Sequence, residues 1–260
     1  MKVVTLIENT TSNAGFACEH GLSLYIESGE HRILFDFGQS AVFAENAQKL
    51  GVDLEQVDIA VLSHGHYDHG GGIKKFLDCN SIAPIYVSDM AFVSHYNASG
   101  KYIGLDQALL ECDRITFMND KQEVAPGICL ISSVKQETIV PIDSAGLTVL
   151  EQGILIPEEF RHEQYLLIEE NGKRICISGC SHKGILNIVH WFQPNVLIGG
   201  FHFMKLDPQS PVLEETAKEL LKYPTTYYTG HCTGQAQFDR LKSIMGNRLN
   251  EIKTGTIINL

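Results

Sequence analysis

The 260-residue chain has no apolar run close to the roughly 20 residues needed to cross a bilayer, so no membrane partner is expected. It also has few basic residues, 20 Lys and Arg against 31 Asp and Glu, for a net charge of 20 − 31 = −11 with no Lys/Arg-rich run. A general nucleic-acid binder needs basic surface to displace counterions, so that class is set aside too. The seven cysteines are odd in number and scattered, with no Cys-x-x-Cys among them. That suits free thiols in a reducing cytosol better than a disulfide framework. At the N-terminus Glu8 cuts the first apolar run short, and neither the apolar core nor the small-residue cleavage site of a signal peptide follows. The expected location is cytoplasmic. Linker-like, low-complexity and repetitive segments are lacking as well, and 44% of residues are hydrophobic, enough for a sizeable core. Residues 1–260 therefore read as one domain.

What is present is a succession of short strands and helices. Val3–Ile7 reads as a strand, and Leu22–Glu27 with Arg32–Phe37 as a hairpin over a Gly-containing polar turn. Ser40 starts a helix through Leu50, where Val42, Phe43, Ala47 and Leu50 recur at helical spacing. Val57–Ser63 is a β-branched run of strand length, Ile73–Leu77 a short helix and Ile85–Val87 a strand. Between 88 and 145 the pattern is less regular. Ile115–Met118, Gln122–Val124 and Ile128–Ile131 read as short strands, Ser94–Gly104 as a surface insertion, and any substrate-shaping lid is expected in this stretch. Tyr165–Ile168 and Arg174–Ser178 form a hairpin over Asn171-Gly172, a strong turn signal. A helix to Phe192, a strand Asn195–Ile198, an amphipathic helix Val212–Tyr223, a strand Thr225–Thr229, a helix Gln235–Met245 and a strand Thr256–Asn259 complete the chain. Two halves, each with strands followed by helices, suggest two packed sheets with helices outside.

The chemistry concentrates in Ser63-His64-Gly65-His66-Tyr67-Asp68-His69-Gly70-Gly71-Gly72, directly after the apolar strand. The glycine triplet is expected to end any regular element, which places the four polar side chains on a loop, where catalytic groups concentrate. Alternating His64 and His66 can reach one cation, while Asp68 and His69 supply N and O ligands beside it. Imidazole and carboxylate suit Zn²⁺ first, and Fe, Mn, Co or Ni as well. Four groups cannot complete two coordination spheres. His182 and His231, each following a strand and a glycine, are the natural additions, and Cys180 either coordinates as thiolate or sits just behind the ligands.

His64-x-His66-x-Asp68-His69, preceded by Phe35-Asp36-Phe37-Gly38, resembles the motif of the metallo-β-lactamase fold superfamily of binuclear metal hydrolases. Glu19-His20-Gly21-Leu22-Ser23-Leu24, Ser178-Gly179-Cys180-Ser181-His182, Gly199-Gly200-Phe201-His202 and His231-Cys232-Thr233-Gly234 are similar to stretches of the branch named for 7,8-dihydropterin-6-methyl-4-(β-D-ribofuranosyl)aminobenzene-5′-phosphate synthase. The resemblance implies an α/β fold, a four-layer αββα sandwich of two mixed β-sheets flanked by helices. It implies His64 and His66 on one metal, Asp68 and His69 on the other, His231 as the last His ligand, and Asp36 supporting the motif from behind. The chain departs from the superfamily pattern where a bridging Asp should stand: Ile177-Ser178-Gly179-Cys180 occupies that place. His162, the earlier His, lacks the usual Gly context. His182 is expected to replace the missing ligand, with Cys180 at or near the bridge.

The implied activity is hydrolysis of a small anionic metabolite, a phosphoester or cyclic ester, by a hydroxide bridging two divalent transition metal ions and oriented by Asp68. His20 and His202 are the spare imidazoles able to protonate a leaving group. Lys183, Lys205 and Arg161 are candidate phosphate contacts and Glu19 a candidate brace for a ligand His, while His31, His95 and His190 read as structural or surface. The alternative within the fold is a synthase-type transfer like that of the named branch. A ligand sensor without turnover stands further off. So does a di-iron oxidoreductase, whose relatives carry a carboxylate where this chain has His66 and have a flavin domain that is not expected here.

Overall fold

The computed structural model describes residues 1–132 and 137–260. The first half runs β1 (Lys2–Ile7), β2 (Ser23–Ser28), β3 (His31–Phe35), α1 (Val42–Lys49), β4 (Ile59–Val61), the single turn α2 (Tyr67–Gly70), α3 (Ile73–Cys79), β5 (Ile85–Ser88), β6 (His95–Tyr96) and β7 (Ile115–Met118). Then come β8 (Lys121–Ala125), β9 (Ile128–Ile131), β10 (Thr148–Glu151), β11 (Ile154–Pro157), β12 (Tyr165–Glu170), β13 (Lys173–Ile177) and α4 (Ile185–Phe192). The chain closes with β14 (Val196–Ile198), α5 (Pro211–Leu220), β15 (Thr226–Thr229), α6 (Gln235–Met245), β16 (Leu249–Glu251) and β17 (Ile257–Asn259).

Two seven-stranded sheets result, β17-β1-β2-β3-β4-β5-β7 and β8-β9-β12-β13-β14-β15-β16. Both are mixed in the same way, antiparallel through their first four strands and parallel through the rest. The strand sequences explain the layering, because successive side chains point to opposite faces. Ile33, Phe35, Ile59 and Val61 face inward, against Ile175, Ile177, Val196 and Ile198 of the other sheet. The residues between them in sequence face outward: Leu34 and Ala60 pack with Phe43, Ile73 and Phe76 of α1 and α3. Cys176 and Leu197 pack with Ile188, Leu213 and Leu241 of α4, α5 and α6. Strands covered on both faces read as near-continuous apolar runs, as these do. The architecture is the four-layer αββα sandwich.

Most expected elements are present, and three differences bear on the site. The 88–145 stretch supplies β7 to one sheet and β8 and β9 to the other, while residues 133–136 of it lie outside the described residues. His95, within the expected surface insertion, is only 2% exposed, because β6 joins β10 and β11 in a small third sheet that the sequence pattern does not announce. Asp68 and His69 lie in the helical turn α2, with His66 extended at its start, rather than on a loop. Among the described residues, no helix is long and apolar enough to cross a membrane.

The glycine triplet does not break the chain: Gly71 and Gly72 have helical φ of −62° and −82°, carrying α2 nearly into α3. Space is what requires them. A Cβ on Gly72 would stand 2.1 Å from the Phe37 carbonyl oxygen, and one on Gly71 2.3 Å from that of Gln39. This close seat lets the Phe37 amide donate to the His69 carbonyl at 2.7 Å, clamping the histidine turn to the segment after β3. Gly72→Ala is expected to cost about 1–3 kcal/mol of stability, the usual range for overpacking. A denaturant melt checks this, and an unchanged midpoint would contradict the clamp.

Candidate metal centre

Asp36, the 63–69 segment, Cys180 with His182, His202 and His231 follow β3, β4, β13, β14 and β15 of the parallel portions, at the carboxyl ends where open sheets bind ligands. Four non-glycine residues there have left-handed backbone: Asp36 (φ 61°), Ser181 (57°), His202 (56°) and His231 (49°). Such conformations cost of order 1 kcal/mol or more each and persist where the surroundings over-determine them.

Asp36, fully buried after β3, organises the first layer of contacts. Its carboxylate accepts the Ser63 amide at 2.7 Å and the Ser63 hydroxyl at 2.8 Å. With its own proton committed, Ser63 Oγ takes the Nδ1–H of His64 at 2.8 Å. The Asp36 oxygen that accepts the Ser63 hydroxyl, Oδ2, also takes the Nδ1–H of His69 at 2.6 Å. One carboxylate thus sets the tautomer of two histidines, leaving a lone pair on each Nε2. Burial pushes the Asp36 carboxyl well up, and the Ser63 bonds work against that. Gly179, after β13, makes room for the network, since a Cβ there would lie 2.2 Å from Ser63 Oγ.

A second set of partners comes from the far end of the sequence. Asn9 Oδ1 accepts from His231 Nδ1 at 2.8 Å and from the Gly21 amide, so its amide nitrogen faces His20 Nδ1 at 3.2 Å. His231 therefore also keeps its lone pair on Nε2, while His20 carries its proton on Nε2, 3.3 Å from Asp68 Oδ2. Glu8 holds the His231 amide. The result is a convergence of acceptors. His69 Nε2 lies 3.1 Å from His231 Nε2 and 3.2 Å from Cys180 Sγ, and Asp68 Oδ2 lies 3.4 Å from His231 Nε2.

Beside this group, His64, His66 and His182 offer nitrogens all within 4.8 Å of one another. His182 is 6% exposed, yet neither of its ring nitrogens has a hydrogen-bond partner, and Nε2 of His64 and of His66 is equally bare. Its ring is held by stacking on Phe160 at 4.3 Å. Its backbone is held by buried Glu163, which accepts the amides of His182 and Lys183 and the Tyr165 hydroxyl at 2.7, 3.0 and 2.6 Å. Burial holds His64, His66 and His182 well below the ordinary imidazole range, and brings His69 down to about 3, so all four are neutral and ligand-competent near pH 7. Burial pushes the Cys180 thiol up, so a thiolate there needs a cation next to it.

His95 and His162, which sequence reasoning leaves aside, stack at 4.0 Å beside His66. Glu158 takes the His95 Nδ1–H at 2.7 Å. His162 differs: its Nδ1 accepts the Gly65 amide at 2.7 Å, which leaves the ring proton on Nε2. In that tautomer His162 presents a donor and not a ligand lone pair. Asn9, Glu8, Glu158 and Glu163 were legible only as isolated polar residues, since none has a motif around it.

His202 sits against His182 at 4.2 Å between ring centres, and burial, with Lys205 nearby, brings it to about 4. His20 is pushed up instead, by its bond to Asp68. Glu19 braces no histidine; it accepts the Gln39 and Ser40 amides and the Ser40 hydroxyl. Arg161 pairs with Glu151 on the surface, and Lys183 is 8% exposed. Lys205 lines a cavity of about 380 Å³ that opens beside His182 and His202. His31 and His190 bond to Asp58 and Tyr223.

These donors fit cations. A proton can satisfy one pair of facing lone pairs, but His69 faces both His231 and Cys180, His231 also faces Asp68, and three bare imidazole nitrogens cluster beside them. Spacings near 3.1–3.4 Å match neighbouring ligands around an ion with bonds of about 2.0–2.3 Å. Asp36→Asn, which keeps the shape but removes an acceptor, is expected to weaken zinc binding roughly 10–100-fold. Competition against a chelator measures it, and unchanged affinity would remove Asp36 from the account.

With the site in view, comparisons give the lineage. The family model described as the metallo-beta-lactamase superfamily matches residues 17–182. An uncharacterized protein of Methanocaldococcus jannaschii is 30% identical over 208 residues, 76% of this chain and 78% of the relative. The 7,8-dihydropterin-6-methyl-4-(beta-D-ribofuranosyl)-aminobenzene-5′-phosphate synthase of the same organism is 30% identical over 263 residues, 90% and 88% of the two chains. The crystal structure of Tm1679, described as a metal-dependent hydrolase of the beta-lactamase superfamily, superposes with a TM-score of 0.82 at 26% identity, over 100% of this chain and 99% of that one. The chain belongs to the metallo-beta-lactamase superfamily.

Proposed function

We propose that the protein is a cytoplasmic binuclear metal hydrolase, with zinc the first candidate, acting on a small anionic phosphoester or cyclic ester. The observation that carries this is the convergence of unpartnered or tautomer-fixed lone pairs at two adjacent points beside one cavity. His64, His66 and His182 would hold one cation, and Asp68, His69, Cys180 and His231 the other. Bound there, two such ions supply Lewis acidity and bring the pKa of water toward neutrality.

The chain's own groups divide the remaining work. Asp68 accepts the His20 Nε2–H and so aims that proton into the site. His20, with 41% of its side chain exposed, is the group able to hand a proton to a leaving oxygen. His202 is neutral near pH 7 and serves as a hydrogen-bonding wall of the pocket. Glu163 and Phe160 fix His182, so the ring does not have to be ordered when its ligand arrives.

A second reading, group transfer, is favoured by the name of the synthase relative. Incubating zinc-loaded protein with model phosphodiesters, and separately with a dihydropterin pyrophosphate and an aminobenzene riboside phosphate, separates the two. Hydrolysis in the first arm with no condensed product in the second supports the hydrolase. In that assay His66→Ala is expected to lose metal and at least 10–100-fold in rate, and His20→Gln to lose about 10²-fold in kcat with metal retained. Unchanged turnover in His66→Ala would sink the proposal.

A further inference from the structure

His95, His162 and Glu158 lie buried beside the candidate metal centre, and the proposed hydrolase leaves them without a role. β6 carries His95, whose register against β10 pairs it with Val149, and the segment between β11 and β12 carries Glu158 and His162. Each ring has one nitrogen occupied from behind. Glu158 Oε2 accepts the His95 Nδ1–H at 2.7 Å, while its Oε1 accepts the Phe160 amide at 2.9 Å. The Gly65 amide donates to His162 Nδ1 at 2.7 Å. The forward nitrogens of the two neutral rings are therefore opposite in kind: His95 Nε2 carries a lone pair and His162 Nε2 a proton.

Both forward nitrogens are enclosed, and neither has a hydrogen-bond partner. Buried polar groups left in that state cost free energy, so a partner is called for. The two cannot satisfy each other. Their rings stack at 4.0 Å with planes 23° apart, and the N–H and the lone pair each lie in the plane of their own ring. Glu158 does not serve either, since its Oε1 lies 3.9 Å from His162 Nε2, beyond hydrogen-bond reach.

One nitrogen each of His66, His95 and His162 lies within 4.8 Å of the other two. Some point then stands within about 2.8 Å of all three, the length of an ordinary hydrogen bond. A cation at that point would meet the His162 N–H. An ether or a fully deprotonated oxyanion would face the His95 lone pair with no proton to give. An oxygen that bears a hydrogen satisfies both, accepting from His162 and donating to His95.

We propose that His95 and His162 form a binding site for one hydroxyl group, supplied by a water or by an alcohol of the substrate. Glu158 and the Gly65 amide are its positioning groups, because they decide which ring donates and which accepts. The pair stands independently of the proposed hydrolase, which bears only on the chemistry next to the held oxygen.

Joint neutron and X-ray diffraction on D₂O-exchanged crystals, grown with or without zinc, reads the pair directly. Expected are deuterium on His162 Nε2 and His95 Nδ1, none on His95 Nε2, and a water oxygen within about 3.2 Å of both forward nitrogens. Deuterium on His162 Nδ1 or His95 Nε2, or no oxygen at that point, overturns the proposal. His95→Phe keeps a ring in the stack and removes the acceptor, so its crystals should lose the oxygen; an oxygen unmoved overturns the pairing. If that variant does not fold, the unsubstituted protein still decides. Calorimetry on zinc-loaded protein, with 2-hydroxyethylphosphonate against ethylphosphonate, separates the two sources. A preference of about tenfold or more for the hydroxyl compound, lost in His95→Phe, assigns the site to a substrate alcohol. Equal affinity, or a preference that His95→Phe leaves in place, assigns the oxygen seen in the crystals to a held water. Failure to retain zinc, with the diffraction result intact, overturns the hydrolase reading and not the pair.

Discussion

A buried carboxylate with nothing to neutralise it is among the most costly groups a protein can hold, and the centre of this molecule depends on one. Asp36 is fully enclosed, and its oxygens reach Ser63 and His69 and, through Ser63, His64. Those contacts fix which nitrogen of each ring carries the proton, and hence where the lone pairs point. Asn9 does the same for His231 from the opposite side. Three candidate ligand histidines, His64, His69 and His231, are aimed by two residues that would touch no metal themselves, which is how metal centres are generally oriented.

The fold supplies what Asp36 needs. β3 and β4 run parallel, so the residues after them emerge side by side, and the matching parallel strands β13, β14 and β15 deliver Cys180, His182, His202 and His231 from the facing sheet. Two sheets packed face to face leave little room between the segments that leave them at one end. Gly72 and Gly179 stand where a single Cβ would collide with backbone or with Ser63, and four residues accept left-handed backbone at the same edge. The strain and the glycines belong to one constraint, the approach of five strand ends to a common point.

That constraint explains what the sequence could and could not show. The His64–His69 motif was legible because its partners lie within six residues, and the strands were legible because burial on both faces writes continuous apolar runs. Asn9, Glu8 and Glu163 act across 19 to 223 residues of chain, and nothing in their own neighbourhoods marks them. β10 and β11 escaped notice because their half-exposed strands carry weak alternation. The glycine triplet suggested a break, because a sequence shows backbone freedom and not the neighbouring carbonyl that forbids a Cβ. His162 was set aside for lacking the Gly context of a ligand, and the Gly65 amide on its Nδ1 adds a reason the sequence does not show: the ring is turned into a donor.

In the proposed centre two cations would share this edge, one held by nitrogen alone and one by a mixed set that includes sulfur. Zinc-edge anomalous diffraction on reconstituted crystals, with X-ray absorption on the same protein in solution, tests it most directly. Two zinc peaks per chain are expected, one among His64, His66 and His182, the other among Asp68, His69, Cys180 and His231, with a sulfur scatterer at about 2.3 Å in the absorption spectrum. A single peak, a spectrum without sulfur, or zinc bound through His162 in place of His182 would contradict it.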